Sequence, residues 1–298
     1  MDKFVWIVGG GTAYVVLFMA TVLVIGLWRR RQRRERAPVE FKLLRAPGES
    51  LRRNVQQMDE EFVFHLLRAA SIPLVAAGVA LWGLSRVVPH ASLTFGLSIC
   101  AGVLLVCAIA TGCWLWSKVA ERRNYLLGYL GERTVGEALL PLVALKYHAF
   151  HDVPAEASGR KFNLDHVVVG PTGVFLIETK TRRKGRARPG FKDHEVGYDG
   201  QKLIWPWAED RHGLEQAEAE ARWLADWLNK LTGFGISVRP ILALPGWYVK
   251  ATAVGTVTVV NAKGLTSAIK GRGVVVLSDA QVDLLARQLD QRCRDVVD

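Results

Sequence analysis

The sequence predicts a mixed α/β domain preceded by three transmembrane α-helices. Three observations carry this. Long uncharged runs crowd the first 117 residues, and basic clusters border them. Beyond residue 118, short apolar segments of strand character alternate with segments whose apolar residues recur every three or four positions. The order helix, strands, helix, strand, strand, helix is that of an α/β layer fold.

The first run, Phe4 to Trp28, has no charged residue, and about 20 apolar residues suffice to cross a bilayer. A second uncharged run lies between Arg68 and Arg86. A third, interrupted only by His90, lies between Arg86 and Lys118. The expected spans are 4–28, 66–88 and 93–116, with a proline-marked turn at "VVPHAS". The first run lacks a basic leader, and its arginines follow it, so a signal anchor is expected rather than a cleaved signal peptide. The cluster "RRRQRRER" after the first span, with Lys118, Arg122 and Arg123 after the third, places both flanks in the cytoplasm and the N-terminus outside. The expected location is the inner or plasma membrane. The expected organisation is a first helix at 1–28, a basic cytoplasmic loop at 29–65, a helical hairpin at 66–117 and a cytoplasmic domain at 118–298.

Net charge is +11. The first 117 residues hold 13 Lys/Arg and 7 Asp/Glu, and the remainder 26 and 21. The first surplus follows from topology and anionic lipid headgroups, which makes the bilayer an expected partner. Cys100, Cys107 and Cys113 fall in the third span and Cys293 stands alone, a pattern that offers no zinc spacing. The spans contain no series of buried charges suited to transport.

In the cytoplasmic part, a helix follows the third span, with Val135, Leu139 and Leu142 on one stripe and Pro141 dividing it. A β-hairpin is expected in "HVVVGPTGVFLIETKT". A basic loop follows over 182–201. A helix near 213–231 places Leu214, Ala217, Ala221, Leu224 and Leu228 on one face, with acids elsewhere. Strands are expected in "ISVRPILALPG", "TVTVVN" and "GVVVL". Ser278 caps a C-terminal amphipathic helix. The loop at 37–65 has room for a short amphipathic helix.

The hairpin carries the chemistry. If Gly170 and Gly173 close the turn, paired residue numbers sum to 343. Asp165 then opposes Glu178, on the same face as the Val167–Leu176 and Val169–Val174 pairs, and Asn163 opposes Lys180. Glu178 and Lys180, two apart, share that face. Carboxylates about 5 Å apart repel by roughly 3 kcal/mol at an effective dielectric near 20. Such a pair needs a cation between or beside it. Lys180 supplies one charge. A divalent ion with oxygen ligands, Mg²⁺ or Mn²⁺, supplies two. A solvated ion cluster at a strand end is the alternative.

Asp165 followed by Glu178-Thr179-Lys180 resembles the core of the PD-(D/E)xK, or restriction-endonuclease-like, nucleases. "GERTVGEALLPL", "HDVP", "FNLDHVVVGPTGVFLIETKT" and "GLEQAEAEARWL" resemble, in order, the nuclease-related (NERD) domain over about 125–290. The resemblance implies a restriction-endonuclease-like mixed sheet flanked by helices and metal-dependent cleavage of phosphodiesters. By position, Asp165 and Glu178 would hold the metal, with the Thr179 carbonyl as a further ligand. Lys180 would orient or activate water and stabilise charge on the phosphate. Glu132 matches an acidic position near the site, with Glu137 its alternative, and Gln216 matches a polar residue on the following helix.

Basic residues are denser after Lys180 than the family leads one to expect. Seven Lys/Arg and no acid occur from Lys180 to Lys192, so Arg182, Arg183, Lys184, Arg186 and Arg188 are candidates for phosphate contacts, and nucleic acid, DNA or RNA, is the expected partner. The same residues could touch the inner leaflet. Trp205 and Trp207 are expected to pack over the sheet rather than stack on bases, and His166, pointing away from Asp165, to be structural. The expected function is a membrane-anchored nuclease. The alternative is a membrane-tethered module of the same fold that binds nucleic acid or protein without turnover.

Overall fold

The computed structural model describes residues 41–87, 92–271 and 273–297, with Leu17, Phe18, Ala20, Thr21 and Val24. Apart from those five residues, the expected first span and the arginine cluster lie outside the described residues, as does most of the turn at Val87–Ser92. The chain forms two compact units, 1–39 with 55–123 and residue 298, and 40–54 with 124–297.

In the first unit the described residues belong chiefly to two long helices, α1 (Glu49–Val87) and α2 (Leu93–Leu139), whose remaining turns belong to the second unit. Among the described residues two stretches, Glu49–Leu84 and Thr94–Leu145, are long and apolar enough to cross a membrane; they contain the second and third expected spans. Large apolar side chains such as Val79, Trp82, Ile109 and Trp116 are exposed. The helical tendency expected within 37–65 is far longer than an isolated amphipathic segment, because α1 begins at Glu49 and runs without a break into the second apolar run.

The second unit is mixed α/β. Strand β1 (Phe41–Leu44) precedes the two long helices. After α2, a 3₁₀ segment at Leu140–Leu145 begins with Pro141, as expected of a residue that cannot continue the helix. The chain then enters a long hairpin, β2 (His148–Ala157) and β3 (Arg160–Gly170), and turns through Pro171-Thr172 into β4 (Gly173–Thr179). Three short strands follow: β5 (Glu195–Tyr198), β6 (Leu203–Ile204) and β7 (Glu209–Asp210). Helix α3 (His212–Thr232) leads to β8 (Val238–Ala243), β9 (Tyr248–Ala251), β10 (Thr258–Val260), α4 (Leu265–Lys270), α5 (Asp279–Arg292) and β11 (Arg294–Val297).

The main sheet has the order β10-β8-β4-β3-β2. β2, β3 and β4 run antiparallel in sequence, whereas β4 pairs parallel with β8, and β8 with β10. Helix α3 makes the crossover that a parallel pair requires. Every residue of β4 is buried, which is why this central strand reads as an apolar run. Its two faces meet different cores. Val167, Val169, Val174 and Leu176 pack with Ala221, Leu224 and Leu228 of α3 and with Val282, Leu285 and Leu289 of α5. Val168, Phe175 and Ile177 pack with Val135, Leu139 and Leu142 and with Leu265 and Ile269. A third core joins the second sheet, β7-β6-β5-β9, to the start of α3 through Trp205, Trp247, Leu214 and Ala217.

The expected hairpin register holds from Gly170↔Gly173 to His166↔Ile177. Two expectations fail. Asn163 pairs with Pro154 of β2 instead of opposing Lys180, because β4 ends at Thr179 and the chain leaves the sheet. "GVVVL" forms no strand. The N–H groups of Val276 and Leu277 both donate to Pro171 O in the hairpin turn, and Val274, Val275 and Val276 are exposed. Past α5 the chain returns as β11, antiparallel to β1. The capping box on α5 is present, Ser278 with Gln281.

Candidate active site

The site forms where β4 ends. Asp165 lies one residue outside the last hairpin pair, His166↔Ile177, and its carboxylate takes up the ladder's next donor. Thr179 N–H donates to Asp165 Oδ2 at 2.7 Å. Lys180 N–H is bound by Ala243 O of β8 at 3.0 Å, so the strand end is fixed from both sides. Glu178 and Lys180 project to one face, and the Lys180 ammonium donates to Glu178 Oε1 at 2.9 Å. The face is the one covered by α3.

From α3, Gln216 Oε1 accepts a second bond from Lys180 Nζ at 2.8 Å, and Gln216 Nε2 donates to Glu220 Oε1 at 2.8 Å. Glu220 is buried and closes on the Glu178 carboxyl. Gly213, near the start of α3, passes over Lys180; a Cβ there would lie 3.2 Å from Lys180 Cγ and 3.3 Å from Leu242. Glu132 comes from α2 and is also buried, with Gly48 N–H bonded to it. A Cβ on its neighbour Gly131 would fall 2.1 Å from Thr181 Cγ2, so α2 meets the chain just past Lys180 only because residue 131 has no side chain. Glu137, the alternative to Glu132, is exposed and paired with Arg133.

Thus Glu132, Asp165, Glu178 and Gln216 gather around Lys180 as expected, and Glu220 joins them unforeseen. Electrostatically the acids crowd one another. Burial, then Glu178 and Glu132, push Asp165 well above the usual carboxylate range. Burial, with Asp152 and Glu178 nearby, raises Glu132 to about 8. Burial and Glu178 raise Glu220 to about 8. For Lys180, burial opposes the charge, but Glu178, Asp165 and Glu220 outweigh it and its pKa lies above the ordinary value. Lys180 therefore stays an ammonium at neutral pH.

The buried atoms Glu178 Oε2, Glu220 Oε2 and Thr179 Oγ1 have no hydrogen-bond partner among the described residues. Buried polar groups are seldom left this way. Among the described residues no three His, Cys, Asp or Glu side chains stand close enough together to hold a metal ion by themselves. The donors available to a hard cation are the Asp165 and Glu178 carboxylates and the Thr179 main-chain carbonyl, all oxygen, with Glu178 Oε2 unused.

The basic loop behaves in two ways. Arg182 is half-buried and Arg188 exposed, and both bond the second sheet. Arg182 pairs with Asp210 at 2.6 Å and stacks on Trp205; Arg188 bonds the Trp205 and Pro206 carbonyls and stacks on Phe191. These two guanidinium groups thus also make contacts within the unit, to carbonyls and ring faces of the second sheet. Arg183 bonds Asn124, and Lys184 lies 5.8 Å from the Trp247 ring. Arg186 is exposed. Trp205 is fully buried and packs with Trp207 and Trp247, as expected of core residues. His166 is buried on the opposite face, its Nδ1 at 2.8 Å from His151 Nδ1.

The carboxylate-lysine cluster thus lies at the end of a buried central strand of a mixed α/β unit, roofed by a crossover helix. Residues 127–245 match the family model of the nuclease-related domain, NERD. The match holds Glu132, Asp165, Glu178, Lys180, Gln216 and Glu220, and ends before the limit near 290 that the motifs led us to expect. No curated protein and no solved structure matches the chain.

Proposed function

We propose that the chain is a membrane-anchored, divalent-cation-dependent nuclease that hydrolyses phosphodiester bonds of DNA or RNA on the cytoplasmic side. The observation that carries this is the strand end itself. Asp165 is locked on Thr179 N–H, with Glu178 and an ammonium beside it, inside a stretch that matches a nuclease-related domain. Cleaving a phosphodiester requires a hydroxide and compensation for negative charge growing on the phosphoryl oxygens. Asp165, Glu178 and the Thr179 carbonyl would hold Mg²⁺ or Mn²⁺; the fit is supported by an all-oxygen donor set and by the unpartnered Glu178 Oε2. Bound there, the ion would supply an acidified water and a Lewis acid for the phosphate.

Lys180 has three N–H donors, two of which are used by Glu178 and Gln216. The third can reach a phosphate oxygen. Because its pKa is raised, Lys180 serves as a fixed positive charge and not as the base. Exposed basic residues of the loop after it, Arg186 among them, would hold the polyanion without reading its sequence. Anchoring would come from Glu49–Leu84, Thr94–Leu145 and the uncharged run 4–28, with the arginines after that run on the cytoplasmic side.

The test is cleavage of DNA and RNA by the purified chain with Mg²⁺, Mn²⁺ or EDTA. Activity that survives Asp165→Ala and Lys180→Ala removes these residues from the chemistry. A second reading is supported by one observation: Lys180 already neutralises Glu178 internally, as a module that only binds would need. It predicts salt-sensitive nucleic-acid binding that persists in EDTA and in Glu178→Gln, with no cleavage.

A further inference from the structure

Hydrogen bonds run from Lys180 to Glu178 and Gln216 and from Gln216 to Glu220, which lies near Glu178. A primary amide has a donor end and an acceptor end of nearly equal size, and nothing in its shape decides which faces a neighbour. If the Gln216 amide turned over, its NH₂ would confront the Lys180 ammonium, which has donors only. Glu220, one helical turn on, holds Gln216 Nε2 at 2.8 Å and thereby directs Oε1 to Lys180.

An ordinary i,i+4 pair on a solvated helix face stabilises a helix by about 0.2–0.5 kcal/mol and has no other consequence. Glu220 differs in two respects. It sits on the apolar stripe of α3, three residues after Ala217 and four before Leu224, both fully buried. It is itself 8 % exposed, and its Oε2 has no partner among the described residues. Packing alone would favour an aliphatic residue there, since a buried carboxyl costs several kcal/mol when poorly compensated.

We infer that Glu220 is a positioning residue: it orients the Gln216 amide so that its carbonyl, together with Glu178, holds the Lys180 ammonium in place for the substrate phosphate. The consequence for catalysis rests on the nuclease reading, but the orientation does not. The experiment therefore reads both. In the full chain, purified in detergent, the rate of reductive methylation of Lys180 is measured by mass spectrometry relative to exposed Lys250, beside kcat and KM on DNA. Glu220→Ala is expected to raise Lys180 labelling at least fivefold and lower kcat about tenfold with KM unchanged. Glu220→Gln, whose carbonyl still accepts from Gln216, is expected to stay within twofold and threefold of the parent in the two readouts. Adding Glu220→Ala to Gln216→Ala should change Lys180 labelling no further, because the two act as one unit.

Unchanged labelling in Glu220→Ala, or equal labelling in Glu220→Ala and Glu220→Gln, overturns the inference. So does a rise at all lysines together, which would mark general loosening. Failure of the parent chain to cleave nucleic acid removes the nuclease reading, while the labelling still decides the role of Glu220.

Discussion

Two buried polar clusters lie within the same α/β unit, and they differ in what they leave unfinished. In the first, Asp152 is surrounded by donors. Its Oδ2 accepts from Ser50 N–H at 3.1 Å, Ser50 Oγ at 2.7 Å and Arg45 Nη1 at 3.0 Å, and Asn163 Nδ2 donates to Ser50 Oγ. Asp152 takes a left-handed backbone, with φ of 48°, to reach them. In the second, four carboxyls face a single ammonium, and two carboxylate oxygens and a hydroxyl go without a partner. A satisfied network ties segments together; an unsatisfied one stores affinity for something the chain does not supply. The first cluster pins residues 45–50 to β2, and the second leaves buried acceptors open beside Lys180.

That contrast breaks most sharply under substitution. Asp165→Ala or Lys180→Ala should lower cleavage by about 10²–10³-fold, the range typical of losing one preorganised charge-stabilising group; the unfolding midpoint should stay put or rise in Asp165→Ala, as like charges are relieved, and fall in Lys180→Ala, where the carboxyls lose their cation. Steady-state cleavage and thermal unfolding of the same samples check this. Asp152→Ala should do the reverse. It removes the carboxylate that accepts from Arg45 and from both Ser50 donors and should cost about 1–3 kcal/mol of stability, with activity per folded molecule reduced less than tenfold; denaturant titration of the purified chain reads the loss.

The crowded acids also respond to pH. Glu132 and Glu220 bind protons more tightly folded, at about 8, than at the ordinary 4.5. Between those values the folded state holds more protons than the unfolded state, so stability falls as pH rises. His151, held near 4 by burial, acts in the opposite sense below about 6.5. The clean window is therefore pH 6.5–8. Without divalent ions the unfolding midpoint should drop across it, and Glu220→Gln should flatten the slope; a midpoint constant over that window would contradict the crowding of acids. The smallest effect concerns the loop. Arg186→Ala should weaken nucleic-acid binding two- to threefold and reduce the salt slope by about 1. Arg182→Ala should instead loosen the Trp205 region, detected as lower thermal stability.

Much of the site was legible because a tight turn transmits information along two strands. Gly170 and Gly173 fix the pairing, period two fixes the faces, and Glu178 and Lys180 follow without reference to the rest of the chain. Asp165 was placed beside Glu178, though its bond to Thr179 N–H depends on the ladder stopping one residue early. Glu220 went unseen because an acid on an amphipathic helix reads as solvated. Its signal was present in its spacing from Ala217 and Leu224, which puts it on the buried stripe. The second sheet was hidden for a different reason: β5, β6, β7 and β9 have four, two, two and four residues, too short to show alternation. "GVVVL" misled because β-branched residues describe what fits a strand, whereas pairing needs an open edge, and this segment is held by the Pro171 carbonyl instead.

Strand β4 is paired on both sides, to β3 antiparallel and to β8 parallel, and buried on both faces. Individual side chains along it can be traded for others of like size, but its length cannot be negotiated. Losing or gaining one residue between Gly173 and Thr179 would rotate everything downstream by half a pleat, sending the glutamate into the aliphatic layer under α2. Natural variation in this segment should accordingly run to exchanges of Val, Leu and Ile and never to a changed count.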